Sequence, residues 1–580
     1  MTIDRRQFFV TSGAALAAPL APFACAPAGA MRVPPGVGGP NPDPATADII
    51  AAAERVMWVE YTAEERALLV DTLDEQLDLV RKRRGLELPF DLAPAVTFDP
   101  VLPGAILPDD RGGTRWASPG RDLPVDETAI AFAPIGQLHQ LLRRRKLTSA
   151  ALTDLYLSRL EKHGPALECV VTSTADLARA QAAEADKEIR RGRLRGSLHG
   201  IPYGIKDLFD TRGIATTWGA EPYRGRIPPR DATVVDRLAK AGAVLCAKLS
   251  VGALAYGDVW FGGRTRNPWN RKEGSSGSSA GSAAATAAGL VGFAVGTETL
   301  GSIVSPSNRC GTAGLRPTFG RVPRTGAMPL CWSLDKVGAL GRTVEDCAMV
   351  LDAIHGRHDG DPVSRTRAFR YDARQGARGR VIGYVPEWFD GNQATGPDIA
   401  ALRTLRTLGA KLIEVELPRL PFEALLPIML AEAAAAFEPL TLTNQDDQLE
   451  RQDKEAWPNT FRAARFISAV DLVQAERLRR RVMEEMGRLM ARVDLIVSPP
   501  NEQLLIATNF TGHPSLTLRA GFVERRSRTA FNDKEPDSGP RFRVPRCVTL
   551  WGRLYDEGTL CEVGRDLEQA IGVWDERPPA

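Results

Sequence analysis

The chain has 580 residues, of which 43% are hydrophobic and 25% charged, an ordinary globular balance that excludes disorder, collagen-like repetition and a disulfide-stapled miniprotein. Seventy-four basic residues against 71 acidic ones leave a formal net charge of +3, so composition lends nucleic-acid binding no support. At roughly 150 residues per domain the length allows two to four domains, or one large α/β domain with extensions.

In chain order, the first feature is an address. Asp4-Arg5-Arg6-Gln7-Phe8-Phe9 puts paired arginines before an alanine-rich apolar stretch that runs to Ala24, and Ala28-Gly29-Ala30 supplies small residues for cleavage. Pro19, Pro22 and Pro27 interrupt the stretch, which suits a packed helix poorly. The pattern resembles a twin-arginine export signal, so residues 1–30 are expected to be a signal peptide and the mature chain periplasmic or extracellular.

Residues 31–128 read as a linker and N-terminal helical extension. Pro34 to Pro44 is Pro/Gly-rich; Thr62-x-x-Glu65 then forms a capping box, and Val70, Leu73, Leu77 and Val80 share one helix face before Gly85. A packing or interaction helix is expected there, followed by an irregular Pro-rich stretch. From Ile130 the pattern turns to alternating helices and short apolar strands. Thr148 or Ser149 caps a helix that Gly164-Pro165 should end, and a second helix runs from about Thr174 to Arg190. Strand-like runs lie at 243–247, 290–295, 380–385, 411–417, 494–498 and 515–519. This alternation predicts one α/β domain around a largely buried sheet. The most apolar later window, Phe422 to Phe437, carries Glu423 and Glu432, so no membrane span is expected.

The eight cysteines are scattered, with no C-x-x-C and no H-E-x-x-H, and His355-Gly-Arg-His358 reads as a solvated loop. No metal or other cofactor is expected. The chemistry concentrates between residues 200 and 320. Gly200-Ile-Pro-Tyr-Gly-Ile-Lys206-Asp207 ends a short apolar run on a lysine. Gly274-Ser-Ser-Gly277-Ser278-Ser-Ala-Gly-Ser282 is a strip of small side chains that lets backbone and hydroxyls approach a substrate closely. Gly296-Thr-Glu-Thr-Leu-Gly-Ser302-Ile-Val304 presents a serine on a Gly-containing turn whose N–H groups could form an oxyanion hole.

Together these segments resemble the amidase signature family, serine hydrolases that use Ser-cisSer-Lys in place of Ser-His-Asp. Thr265-Arg-Asn-Pro-Trp269, Cys310 to Gly320, Asp494 to Pro499 and Asn509-Phe-Thr-Gly-His-Pro514 extend the likeness from about Ile130 to Leu567. The resemblance implies a single domain, here 129–575, with a large mixed β-sheet flanked by helices on both sides. It further implies Ser302 as nucleophile, Ser278 as bridging serine after a cis Gly277–Ser278 peptide, and Lys206 as base, with Thr299, Leu300, Gly301 and Ser302 forming the oxyanion hole. The residue types suit that chemistry, because a serine needs a base and a lysine serves only if burial keeps it neutral.

Two departures stand out. Leu300 occupies a family glycine and Val304 a family arginine, so the shape and ion pairing of the oxyanion loop are expected to change. Asp207 reads as a turn or network residue, Lys248 as a surface lysine after a strand, and His513 as structural. The expected function is hydrolysis of a small-molecule carboxylic amide through an acyl-enzyme. The alternatives are an amidotransferase-A-like subunit that feeds ammonia to misacylated transfer RNA, and a non-catalytic binding protein on an amidase scaffold. Substrate specificity is expected from Phe422 to Trp457 and from the loop Glu524 to Val544.

Overall fold

A computed structural model describes residues 46–579 apart from 87, 91, 119–122, 391–393 and 529–535. Its centre is an 11-stranded mixed sheet. In chain order the strands are β1 (Val170–Ser173), β2 (Pro202–Lys206), β3 (Val244–Leu249), β4 (Phe293–Glu298), β5 (Ala313–Arg316), β6 (Lys336–Gly341), β7 (Val381–Tyr384), β8 (Lys411–Glu414), β9 (Leu495–Ser498), β10 (Ser515–Arg526) and β11 (Arg541–Gly552). They lie in the order β8-β7-β9-β11-β10-β5-β6-β4-β2-β3-β1. β4 pairs with β2, and β2 with β3, in parallel, whereas β5, β6, β10 and β11 meet their neighbours antiparallel.

Every residue of β2, β3, β4, β5, β6 and β9 is buried. Both faces are therefore covered, and continuous apolar runs replace the in-out alternation of a half-exposed sheet. Ala280–Ala287 packs on one face, every residue of it buried, which its alanines and small hydroxyls permit at close range. Among the described residues no helix is long and apolar enough to cross a membrane.

The expected element positions need some corrections. The helix Ser149–Leu167 keeps the Thr148 cap but runs past Gly164-Pro165 to a left-handed Glu168, because a proline in the last turn removes only one donor. β10 and β11 extend into the segment read as the loop Glu524 to Val544. A helix absent from the sequence reading, Ala47–Met57, precedes Ala63–Arg84. The latter carries its capping box, with Thr62 Oγ1 accepting the Glu65 N–H at 3.2 Å and Glu65 accepting the Thr62 N–H at 2.7 Å. The two helices are tied by Arg66 to Glu54 through two bonds of 2.7 Å, and Leu77 and Val80 stay exposed. The signal-peptide expectation falls on residues outside those described.

Candidate active site

Lys206 ends β2 in the middle of the parallel part of the sheet, with no exposed surface. Its Nζ lies 2.8 Å from Ser278 Oγ, 2.9 Å from Thr297 Oγ1 and 3.4 Å from the Thr297 carbonyl. Burial lowers its pKa to about 7, against the opposing pull of Asp335 and Glu298. The amine is thus substantially neutral near neutral pH.

The serine strip is fastened to β4 beside it. Ser279 Oγ donates to the Thr297 carbonyl at 3.0 Å and accepts the Thr297 N–H at 3.2 Å, and Ser282 Oγ donates to the Val295 carbonyl at 3.1 Å. Ser275 Oγ bonds the Ser276 carbonyl. Of these hydroxyls it is Ser278 that reaches Lys206. The Gly277–Ser278 peptide is cis.

Ser302 follows β4 on the turn Thr299–Ser302, and its carbonyl accepts the Ser279 N–H at 3.2 Å, joining this turn and the serine strip directly. Gly301 sits at φ +88°, and a Cβ there would come within 2.9 Å of Ser305 Oγ, so this position requires glycine. Leu300 packs at the edge of the apolar cluster containing Phe510 and Trp551.

The turn is held from below by Glu298, which the sequence reading did not single out. Its carboxylate accepts the N–H groups of Ile303 at 2.8 Å and Val304 at 2.9 Å, Arg316 Nη1 at 2.6 Å and Asn509 Nδ2 at 2.9 Å. Burial alone would push this carboxyl up; the Arg316 cation and the N–H donors outweigh it and hold the pKa at about 2. Arg316 also donates to the His513 carbonyl at 2.7 Å. The segments around residues 298, 316 and 509–513 therefore converge on one buried knot. Thr299 Oγ1 donates to Asp335 at 2.6 Å, which further anchors the turn.

Three expectations about neighbouring residues meet the structure here. Lys248 is not on the surface: it lies in β3, fully buried, 3.2 Å from Asp207. Its Nζ also donates to the Phe209 carbonyl and to Thr216, and Asp207 accepts from the Thr217 N–H and hydroxyl. Burial pushes the carboxyl up and the amine down, each opposed by its partner. His513 is buried against Thr511 Oγ1 at 2.7 Å, and burial lowers its pKa to about 3. His358 lies half-buried on a turn whose Arg357, Asp359 and Gly360 are exposed, with its Nδ1 accepting the Gly360 N–H and meeting Thr325 Oγ1. Among the described residues no group of His, Cys, Asp and Glu is placed to hold a metal ion.

Residues 151–509 match the family model described as Amidase. The chain belongs to the amidase signature family. The A component of the glutamyl-tRNA(Gln) amidotransferase of Anaeromyxobacter sp. (strain K) is 39% identical, over 74% of this chain and 94% of the relative. The protein of the same name from Anaeromyxobacter dehalogenans (strain 2CP-C) is 32% identical over the same shares. Among solved structures, native peptide amidase from Stenotrophomonas maltophilia superposes with a TM-score of 0.66 at 31% identity, covering 77% of this chain and 98% of that one.

These relatives correct the expectation of a periplasmic or extracellular location. The curated ones are named as components of an enzyme of glutamyl-tRNA, a substrate found inside the cell. The arginine pair on which that expectation stood lies outside the described residues.

Proposed function

We propose that this amidase-family protein cleaves a carboxamide C–N bond through an acyl-enzyme on Ser302. The observation that carries the reading is the buried Lys206 amine at 2.8 Å from Ser278 Oγ, beside a turn that presents Ser302. Neutral Lys206 takes the Ser278 proton while Ser278 takes that of Ser302, and Ser302 Oγ attacks the amide carbon. The N–H groups of Thr299, Leu300, Gly301 and Ser302 stabilise the oxyanion, those of Ile303 and Val304 being engaged by Glu298. Removing one such donor typically costs about 100-fold or more. Collapse breaks the C–N bond, the leaving nitrogen receives the proton back through Ser278, and water then cleaves the ester by the same relay.

Two uses of this chemistry have support. The curated relatives favour an amidotransferase-A-like role, in which the chain would release ammonia from an amide for use by partner proteins in forming an amide on tRNA. Free hydrolysis of a small linear amide has the support of the peptide amidase likeness. Ammonia release from glutamine and from peptide C-terminal amides, measured on the purified chain alone, separates them. Efficient turnover of peptide amides by the lone chain favours the hydrolase; slow glutamine hydrolysis that partner proteins accelerate favours the amidotransferase. Absence of both, with no fluorophosphonate adduct, leaves the binding-protein reading.

A further inference from the structure

We propose that the N-terminal strap around Phe90, outside the family match, forms the far wall of the substrate pocket and limits the size of the apolar group the amide can carry. This rests on the amide-cleaving reading of the Lys206 site. One cavity is lined by Thr297, which holds Lys206, and Thr299 of the oxyanion turn together with Phe90, Ala93, Leu208, Met328 and Trp332.

The strap is held firmly at that spot. The Phe90 ring meets Trp218 edge-on at 5.3 Å, Tyr223 at 6.3 Å and Phe437 at 6.5 Å. Aromatic contacts of this kind each add about 0.5–1.5 kcal/mol beyond burial. On the N-terminal side Arg83 forms two bonds to Glu438, the neighbour of Phe437. On the C-terminal side Phe98 packs on Phe319 at 5.1 Å and under the Arg479 guanidinium at 3.5 Å. Pro100 then lies so close to Gly512 that a Cβ there would approach its ring within 2.7 Å.

Phe90 is therefore a fixed ring lining the same cavity as Thr297, which bonds Lys206, and Thr299, which begins the Ser302 turn. The family match covers residues 151–509 and Phe90 lies outside it, so the pocket should be shorter than the same cleft without this ring. Amides with a compact apolar substituent fit; aryl-alkyl or long alkyl substituents meet the ring.

Binding to a Ser302→Ala background tests this without turnover. Two series of carboxamides, one lengthening the acyl side from acetyl to phenylbutyryl and one lengthening the amine side, are titrated by calorimetry. Adding Phe90→Ala should tighten the large members of one series at least tenfold while leaving the smallest unchanged, and Phe90→Leu should give a smaller gain in the same series. Unchanged affinities in both series with both variants folded, or an unfolded Phe90→Ala together with an unchanged Phe90→Leu, would overturn the proposal. Failure of the amide-cleaving reading shows separately, as absence of ammonia release and of fluorophosphonate labelling in the chain with Ser302 intact.

Discussion

Glu298 and Arg316 meet at 2.6 Å with neither side chain exposed, and the same carboxylate clamps the first two N–H groups after Ser302. This pair joins β4 to β5 and links Asn509 and the His513 carbonyl to the turn that holds Ser302.

Arg316→Met should accordingly damage both fold and rate. It strands a buried carboxylate, an event that typically costs about 3–5 kcal/mol. Urea denaturation should show that loss, and kcat should fall with little change in KM, since the turn and not the substrate pocket is disturbed. A variant with wild-type stability and kcat would show that the knot does not support the turn.

The pH profile follows from Lys206. Its amine must be neutral to accept a proton, and its pKa stands near 7 where an ordinary lysine has 10.5. kcat/KM should therefore fall about tenfold per pH unit below 7 and level off above it. A rise only above pH 10 would mean an unperturbed lysine. Lys206→Ala should lose more at neutral than at alkaline pH, and adding Ser278→Ala should cost little further, because both remove one proton path.

Asp207 and Lys248 form a separate prediction. Each buried charge is compensated by the other, so Asp207→Ala or Lys248→Met alone should destabilise by about 3–5 kcal/mol. The double variant should lose clearly less than the sum of the singles in denaturant melts. Strict additivity would mean that the pair is not coupled in solution.

Sequence made the local chemistry legible and left the long-range charges hidden. The Thr62 and Thr148 caps show because capping acts within three residues, and Lys206, Ser278 and Ser302 show because each sits in a short motif. β5 and β6 escape notice because Gly314, Gly338 and Gly341 dilute their apolar runs and because burial on both faces removes alternation. Lys248 reads as surface because a lysine is rarely buried unless paired, and its partner Asp207 lies on the far side of an intervening helix in sequence. Thr297, Glu298 and Arg316 carry no local pattern; their role appears only when β4, β5 and the segment at Asn509 are brought together. Phe90 is hidden for the same reason, as one aromatic in a Pro-rich stretch whose neighbours come from residues 218, 223 and 437.

The most direct measurement is peptide mapping by mass spectrometry after reaction with a fluorophosphonate. The adduct should fall on Ser302 alone, form far more slowly in Lys206→Ala, persist in His513→Ala if that variant folds, and vanish together with amide turnover in Ser302→Ala. Labelling on any other serine, or full amide turnover by folded Ser302→Ala, would contradict the assignment of Ser302 as the nucleophile.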